Sequence, residues 1–180
     1  MIITIGGLAG SGKSTIAKKL AEKLAWPMYG MGSLRRQKAI ELGMTLAEYN
    51  KLGETDPETD LAVDHYQEEL GKTQDNFVIE GRTSWHFIPQ AIKIFLTVDE
   101  LAGAERIFKA GRLGEDKNLN SVEDVITSNR ARLASDRVRY QKYLGVDVYD
   151  KSHYDLVVDT TKLTPDEVLA KVYNFVVNKQ

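Results

Sequence analysis

The sequence predicts a single α/β domain with a mostly parallel sheet, and three observations lead there. Short, nearly continuous apolar runs recur along the 180 residues, as strands covered on both faces require. Stretches with apolar residues at helical spacing lie between them, so strand and helix alternate. A glycine-rich loop joins the first run to the first helix, and such loops wrap closely around anions because no Cβ blocks the approach.

Taken in order, Ile2–Ile5 is the first predicted strand, and Pro27–Gly30 holds a shorter one. Phe77–Ile79, Ala91–Val98 and Leu156–Val158 are rich in β-branched or aromatic residues and complete the set. Ser14–Leu24 carries Ile16, Ala17, Leu20, Ala21 and Leu24 as one apolar stripe of helical period. Ser121, with Glu123 and Asp124 behind it, caps a long helix that ends near Leu144 and Gly145. Thr164-Pro165-Asp166-Glu167 supplies a cap, a proline at the first helical position and a glutamate three residues beyond the cap. Ligands of such a fold gather at the carboxyl ends of the strands.

Composition narrows the function. A hydrophobic fraction of 42% and a charged fraction of 28% describe one ordinary cored domain. Twenty-four basic against 26 acidic residues give a net charge of −2, which lends no support to a nucleic-acid partner. The absence of cysteine excludes a disulfide scaffold, a thiol nucleophile and a thiolate zinc site. No signal-peptide pattern opens the chain, and no apolar run approaches the ~20 residues that span a bilayer. A soluble, cytoplasmic protein without a membrane partner is expected. No linker, repeat or low-complexity tract divides it.

The strongest motif is Gly7-Leu8-Ala9-Gly10-Ser11-Gly12-Lys13-Ser14, followed by Thr15. It fits the phosphate-loop pattern in full, with an apolar strand leading in and an amphipathic helix leading out. Backbone N–H groups of the loop and the helix N-terminus would face phosphates, where the helix dipole also favours negative charge. Lys13 would supply a charge to the β- and γ-phosphates, and the Ser14 hydroxyl would hold Mg²⁺. Neither Asn50-Lys51-Leu52-Gly53 nor Thr161-Lys162-Leu163-Thr164 has the aspartate of a guanine-reading motif. No D-x-D follows the second strand, as shikimate-type kinases would show. A small phosphotransferase is the class that fits.

Two phosphorylated substrates in one cleft bring negative charges together, and arginine forks answer that. At 100° per residue, Arg132, Asp136 and Arg139 of the long helix fall within ~60° of one another, with Arg130 and Arg137 on the opposite edge. Two readings stand for this trio: an acceptor site, or solvated salt bridges that contribute only ~0.3–0.5 kcal/mol each. Glu80 and Arg82 follow a buried strand, where Glu80 could order water around Mg²⁺ and Arg82 could grip a phosphate. Asp60, Asp64 and Gln67 recur at helical spacing and read as a solvated acidic face. Arg35-Arg36 reads either way. Gly111–Lys117 suits a lid over the phosphates or a surface loop. His65, His86 and His153 lack metal-ligand spacing, and Trp26 and Trp85 read as packing.

With these residues in place the chain resembles the cytidylate kinases, in the compact form typical of archaea, among the nucleoside monophosphate kinases. The likeness runs through Gly7–Thr15, Gly32–Arg36, Asp56-Pro57-Glu58-Thr59-Asp60, Glu80-Gly81-Arg82 and Ala104-Glu105-Arg106-Ile107. It continues in Arg132-x-x-x-Asp136-x-x-Arg139-Tyr140 and in Leu156-Val157-Val158-Asp159-Thr160-Thr161-Lys162-Leu163, its two most specific parts. The resemblance implies a P-loop kinase fold with a five-stranded parallel sheet and small acceptor-binding and lid subdomains. It implies Mg²⁺-dependent transfer from ATP to CMP or dCMP by a monomer. It places the core at residues 1–30, 76–110 and 154–180, the acceptor-binding region near 31–75, and a lid near 111–120 leading into helix 121–144.

By the same resemblance Arg36, Asp60, Arg82, Arg132, Asp136 and Arg139 bind the acceptor, with Lys13, Arg82, Arg132 and Arg139 also catalytic. Gly7 to Thr15 and Arg106 hold ATP, while Ser14 and, through water, Glu80 hold the metal. Three departures stand out: Ser33 where the family commonly has an acid, Ala110 where a second lid arginine is often found, and the makeup of Gly111–Asn120. Rival readings are a kinase of this fold with another acceptor (UMP, AMP, dTMP or a non-nucleotide), and a silent nucleotide sensor.

Overall fold

The computed structural model describes residues 1–111 and 119–179. Five strands form one sheet: β1 (Ile2–Gly7), β2 (Met28–Gly30), β3 (Phe77–Glu80), β4 (Ile92–Thr97) and β5 (Leu156–Asp159), in the order β2-β3-β1-β4-β5. Every neighbouring pair is parallel. Parallel neighbours need crossover connections, and helices supply them. These are α1 (Lys13–Leu24), α2 (Met31–Glu41), α3 (Leu46–Gly53), α4 (Glu58–Thr73), α5 (Ser84–Phe87), α6 (Glu100–Ala110), α7 (Val122–Leu144) and α8 (Pro165–Val177).

All six residues of β1 are buried, because the strand lies at the centre of a sheet covered on both faces. Successive side chains point to opposite faces, so Ile3 and Ile5 pack with Ile16 and Leu20 of α1 and Val172 of α8. Ile2 points the other way, with Phe77 and Ile79, onto Val63 and Leu70 of α4. The predicted strands and the three predicted helices are all present, including the short β2.

Helix boundaries follow local chemistry. Ser121 Oγ accepts from Asp124 N at 3.1 Å, and Gly145 closes α7 in the left-handed region. Thr164 and Glu167 form the reciprocal capping box of α8, with Pro165 in its first turn. Residues 31–75 hold α2, α3 and α4, joined by the short connections 42–45 and 54–57, with 74–75 leading toward β3. The segment expected to form a lid lies, from 112 to 118, outside the described residues, and Arg112 with it. Among the described residues no helix is long and apolar enough to cross a membrane.

Candidate active site

The chain leaves β1 toward one edge of the sheet and β4 lies on the other side of it, which opens a crevice at the carboxyl end of β1. The glycine-rich loop fills that crevice. Gly7 has φ +139°, and a Cβ there would stand 2.2 Å from Leu96 O, the carbonyl that accepts from Leu8 N at 3.0 Å. At Gly10, φ +75°, a Cβ would lie 2.2 Å from Gly103 O of α6. Both positions admit only glycine, so the loop is pressed between β4 and α6.

α1 begins at Lys13 behind Gly12, with no side-chain cap and no acid in its first turn. Its N-terminal amides therefore keep their donors for an anion, unlike those of α7 and α8, which serine and threonine cap. Lys13 Nζ donates to Leu8 O at 2.6 Å and Ser11 Oγ to the same carbonyl at 2.8 Å, so the loop folds around its own lysine. On one flank Arg106 of α6 binds the turn after β5, with Nη2 donating to Thr160 O and Thr161 O at 2.7 and 3.0 Å. Thr160 Oγ1 in turn donates to Ser11 O at 3.2 Å. These groups border a cavity of about 230 Å³ that Gly12, Thr15 and Val168 also line.

On the other flank lies a narrow cleft. Lys13, Arg36, Arg82 and Arg132 line it, with Glu80 and Asp64 as its acids beside a buried Asp60. Ser14 Oγ donates to Glu80 Oε2 at 3.2 Å, joining the start of α1 to the end of β3. A hydroxyl and a carboxylate give hard oxygen donors only, which fits Mg²⁺, an ion that keeps several waters and takes its remaining ligands from phosphate. No cluster of three or more histidine, aspartate or glutamate residues suited to a metal occurs among the described residues.

Behind the cleft sits a buried ionic network. Arg139 is wholly buried and Asp136 is 1% exposed. Arg139 Nη1 donates to both oxygens of Asp60 at 2.9 and 2.8 Å, and its Nη2 donates to Asp136. Asp136 Oδ2 lies 2.5 Å from Arg82 Nε and accepts from the Tyr149 hydroxyl at 2.6 Å. Arg35 binds Asp60 from α2, with its Nε donating to Asn50 Oδ1 at 2.9 Å. Burial pushes the Asp136 carboxyl up, but Arg82 and Arg139 outweigh it and hold the carboxyl below the usual range. Burial likewise acts to lower Arg82, and Asp136 more than offsets it.

The trio on α7 is thus not a row of solvated bridges. Arg132 lines the cleft, whereas Asp136 and Arg139 lie beneath it. Their outward neighbours do make solvated pairs: Arg130 with Glu100 at 2.6 Å and Arg137 with Asp147 at 3.4 Å. Arg106 stands at the loop and Arg36 at the cleft.

The reading of Asp60, Asp64 and Gln67 as a solvated face is corrected. Asp60 is 8% exposed and Gln67 is fully buried. Their spacing does put them on one face of α4, but that face turns inward, since Arg35 and Arg139 compensate the charge of Asp60. Arg35, which the sequence left open together with Arg36, belongs to the network, and so does Tyr149, which sequence reasoning did not single out. Adjacent helical residues point about 100° apart, so of Arg35 and Arg36 only one could face the cleft; no sequence signal marks Tyr149.

A model of the cytidylate kinase-like family matches residues 2–162. The chain belongs to the cytidylate kinase-like family. Its relatives include the cytidylate kinase of Methanocella arvoryzae, 39% identical over 90% of this chain and 89% of that one. The cytidylate kinase of Methanosphaera stadtmanae is 35% identical over the full length of both. As a member of this family the protein is an enzyme of the kinase class. Its fold is the P-loop kinase fold, which it shares with shikimate kinase from Bacteroides thetaiotaomicron at a TM-score of 0.66 and 13% identity, over 98% of each chain.

Proposed function

We propose that the protein transfers the γ-phosphoryl group of ATP, with Mg²⁺, to CMP or dCMP, giving ADP and CDP or dCDP. The observation that carries this reading is one phosphate loop flanked on both sides: a cavity of about 230 Å³ on its Arg106 side and an arginine-lined cleft on its Glu80 side. The family relationship points to cytidylate as acceptor.

In this reading the loop amides of residues 7–15 and Lys13 bind the β- and γ-phosphates, and Arg106 bounds the ATP side. Arg36 and Arg82 hold the acceptor phosphate, and Arg132 reaches over the cleft to the transferring group. Asp60, Asp136 and Arg139 act from below by fixing Arg82 and the α4–α7 junction. Ser14, and Glu80 through water, would hold Mg²⁺, whose charge offsets that of the phosphates. No covalent nucleophile is needed, because phosphoryl transfer depends on positioning and charge stabilisation. Residues 31–75 serve as the acceptor-binding region and the segment near 111–120 as the lid. The enzyme acts as a monomer on small nucleotides.

The test is acceptor-dependent ADP release with MgATP across CMP, dCMP, UMP, AMP and dTMP, with Lys13→Ala as blank. Turnover favouring CMP or dCMP is expected. Preference for another acceptor would move the substrate and keep the mechanism, and ATP binding without any turnover would leave a sensor.

A further inference from the structure

The carboxylates of the site differ in what occupies them. Asp60 and Asp136 are taken up by arginines, and Glu80 lies against Ser14. Asp64 lines the same cleft and forms no ion pair among the described residues. Gln67 fixes it from behind, with Nε2 donating to Asp64 Oδ1 at 3.4 Å and to Thr83 Oγ1 at 3.1 Å. The Gln67 carbonyl accepts from Ser84 Oγ at 2.6 Å. Each end of this buried amide is engaged, so it cannot turn its carbonyl toward Asp64 without losing three bonds.

Asp64 is therefore an oriented acceptor in a cleft whose other lining charges, apart from Glu80 and the arginine-bound Asp60, are cations suited to phosphate oxygens. Val63 and Tyr140 line the cleft as well and offer apolar surface to the flat face of a base. A carboxylate accepts from the exocyclic amine of cytosine. Against the exocyclic oxygen of uracil it would set two acceptors face to face, with neither one satisfied.

We propose that Asp64, held by Gln67 beside Thr83, reads the exocyclic amine of the acceptor's base and so makes the enzyme favour aminopyrimidine over oxopyrimidine monophosphates. This rests on the proposed function and deepens it by naming what selects the base. Burial and the neighbouring charge of Asp60 push the Asp64 carboxyl up to about 7, and an amine donor offsets that desolvation.

The test compares kcat/KM for CMP, UMP and the CMP analogue that lacks the 4-amino group, in wild type, Asp64→Asn, Asp64→Glu and Gln67→Leu. Wild type should favour CMP over both others by about tenfold to a hundredfold. Asp64→Asn, which presents a donor, should remove most of that preference while leaving KM for ATP unchanged. Asp64→Glu should restore part of it, and Gln67→Leu should lose part of it. An unchanged CMP:UMP ratio in Asp64→Asn overturns the proposal. So does equal use of CMP and the amine-free analogue by wild type, an arm that needs no variant to fold. Wild type that leaves CMP unphosphorylated overturns the proposed function, and this inference with it. Wild type that favours CMP with the ratio undisturbed in the variant overturns this inference alone.

Discussion

One terminal nitrogen of Arg139 binds both carboxylate oxygens of Asp60, at 2.9 and 2.8 Å, across 79 residues of sequence. The contact ties α7 to α4 at a place that water does not reach, since Arg139 is wholly buried. Arg139 also serves Asp136, so its removal would leave two buried carboxylates short of a cation. Arg139→Met should lower stability by about 3–5 kcal/mol, the range seen when one partner of a buried pair is deleted. Urea unfolding measures this, and adding Asp60→Asn should recover part of the loss. A loss within about 1 kcal/mol, as for a surface pair, would show that the network is solvated.

Asp136 makes the same network a source of acid sensitivity. Burial raises its carboxyl, but Arg82 and Arg139 bring it below its ordinary value of 3.8. A depressed folded pKa contributes stability above the unfolded value, and that contribution is lost as pH falls through the folded one. Melting temperature should therefore hold from neutral pH to about 4 on this account and fall below it. In Asp136→Asn that acid limb should flatten from a lower starting point. An acid limb as steep in the variant as in wild type would assign the loss to other groups.

Lys13 separates binding of the loop's ligand from folding. Its ammonium donates to Leu8 O, a contact local to the loop. Lys13→Ala should lower kcat by at least about a hundredfold, the scale for removing one charge-stabilising donor. The melting temperature should move by no more than a few degrees, because the buried core contacts of α1 come from Ile16, Ala17, Leu20 and Ala21. Turnover within about tenfold of wild type would remove Lys13 from the transfer step.

The sequence was most legible where signals are local. Thr164 and Glu167 announce α8 because a capping box is completed within four residues. The phosphate loop is legible because its glycines answer to the backbones of Leu96 and Gly103, which no other residue could approach so closely. Asp60 is the opposite case. Whether an acidic helical face is wet or buried depends on partners that lie 25 and 79 residues away, Arg35 and Arg139. The same holds for Tyr149, whose hydroxyl gains meaning only from Asp136 and Arg82. On α7 the helical period brought Arg132, Asp136 and Arg139 together, but it could not say which of them lines the cleft.

Asp64 sets stability against function. Burial and the charge of Asp60 push its carboxyl up to about 7, against the pull of Arg35 and Arg139 and a hydrogen bond from Thr83. Lys13, Arg36, Arg82 and Arg132 line the same cleft. A raised carboxyl pKa means the fold favours the protonated form. Its relative stability is then greatest below the unfolded value of 3.8 and is lost as pH rises toward about 7. Asp64→Asn removes the charge and keeps the shape. The variant should therefore be more stable than wild type at pH 8 by on the order of 1–2 kcal/mol, a figure reduced from the full shift because the residue is only half-buried. That corresponds to a rise of a few degrees in melting temperature, and it should shrink to nothing near pH 4. A difference that does not vary with pH, or a variant less stable at pH 8, would mean that Asp64 carries its charge without penalty. A gain in stability together with lost selectivity would show a carboxylate kept in the cleft for what it binds.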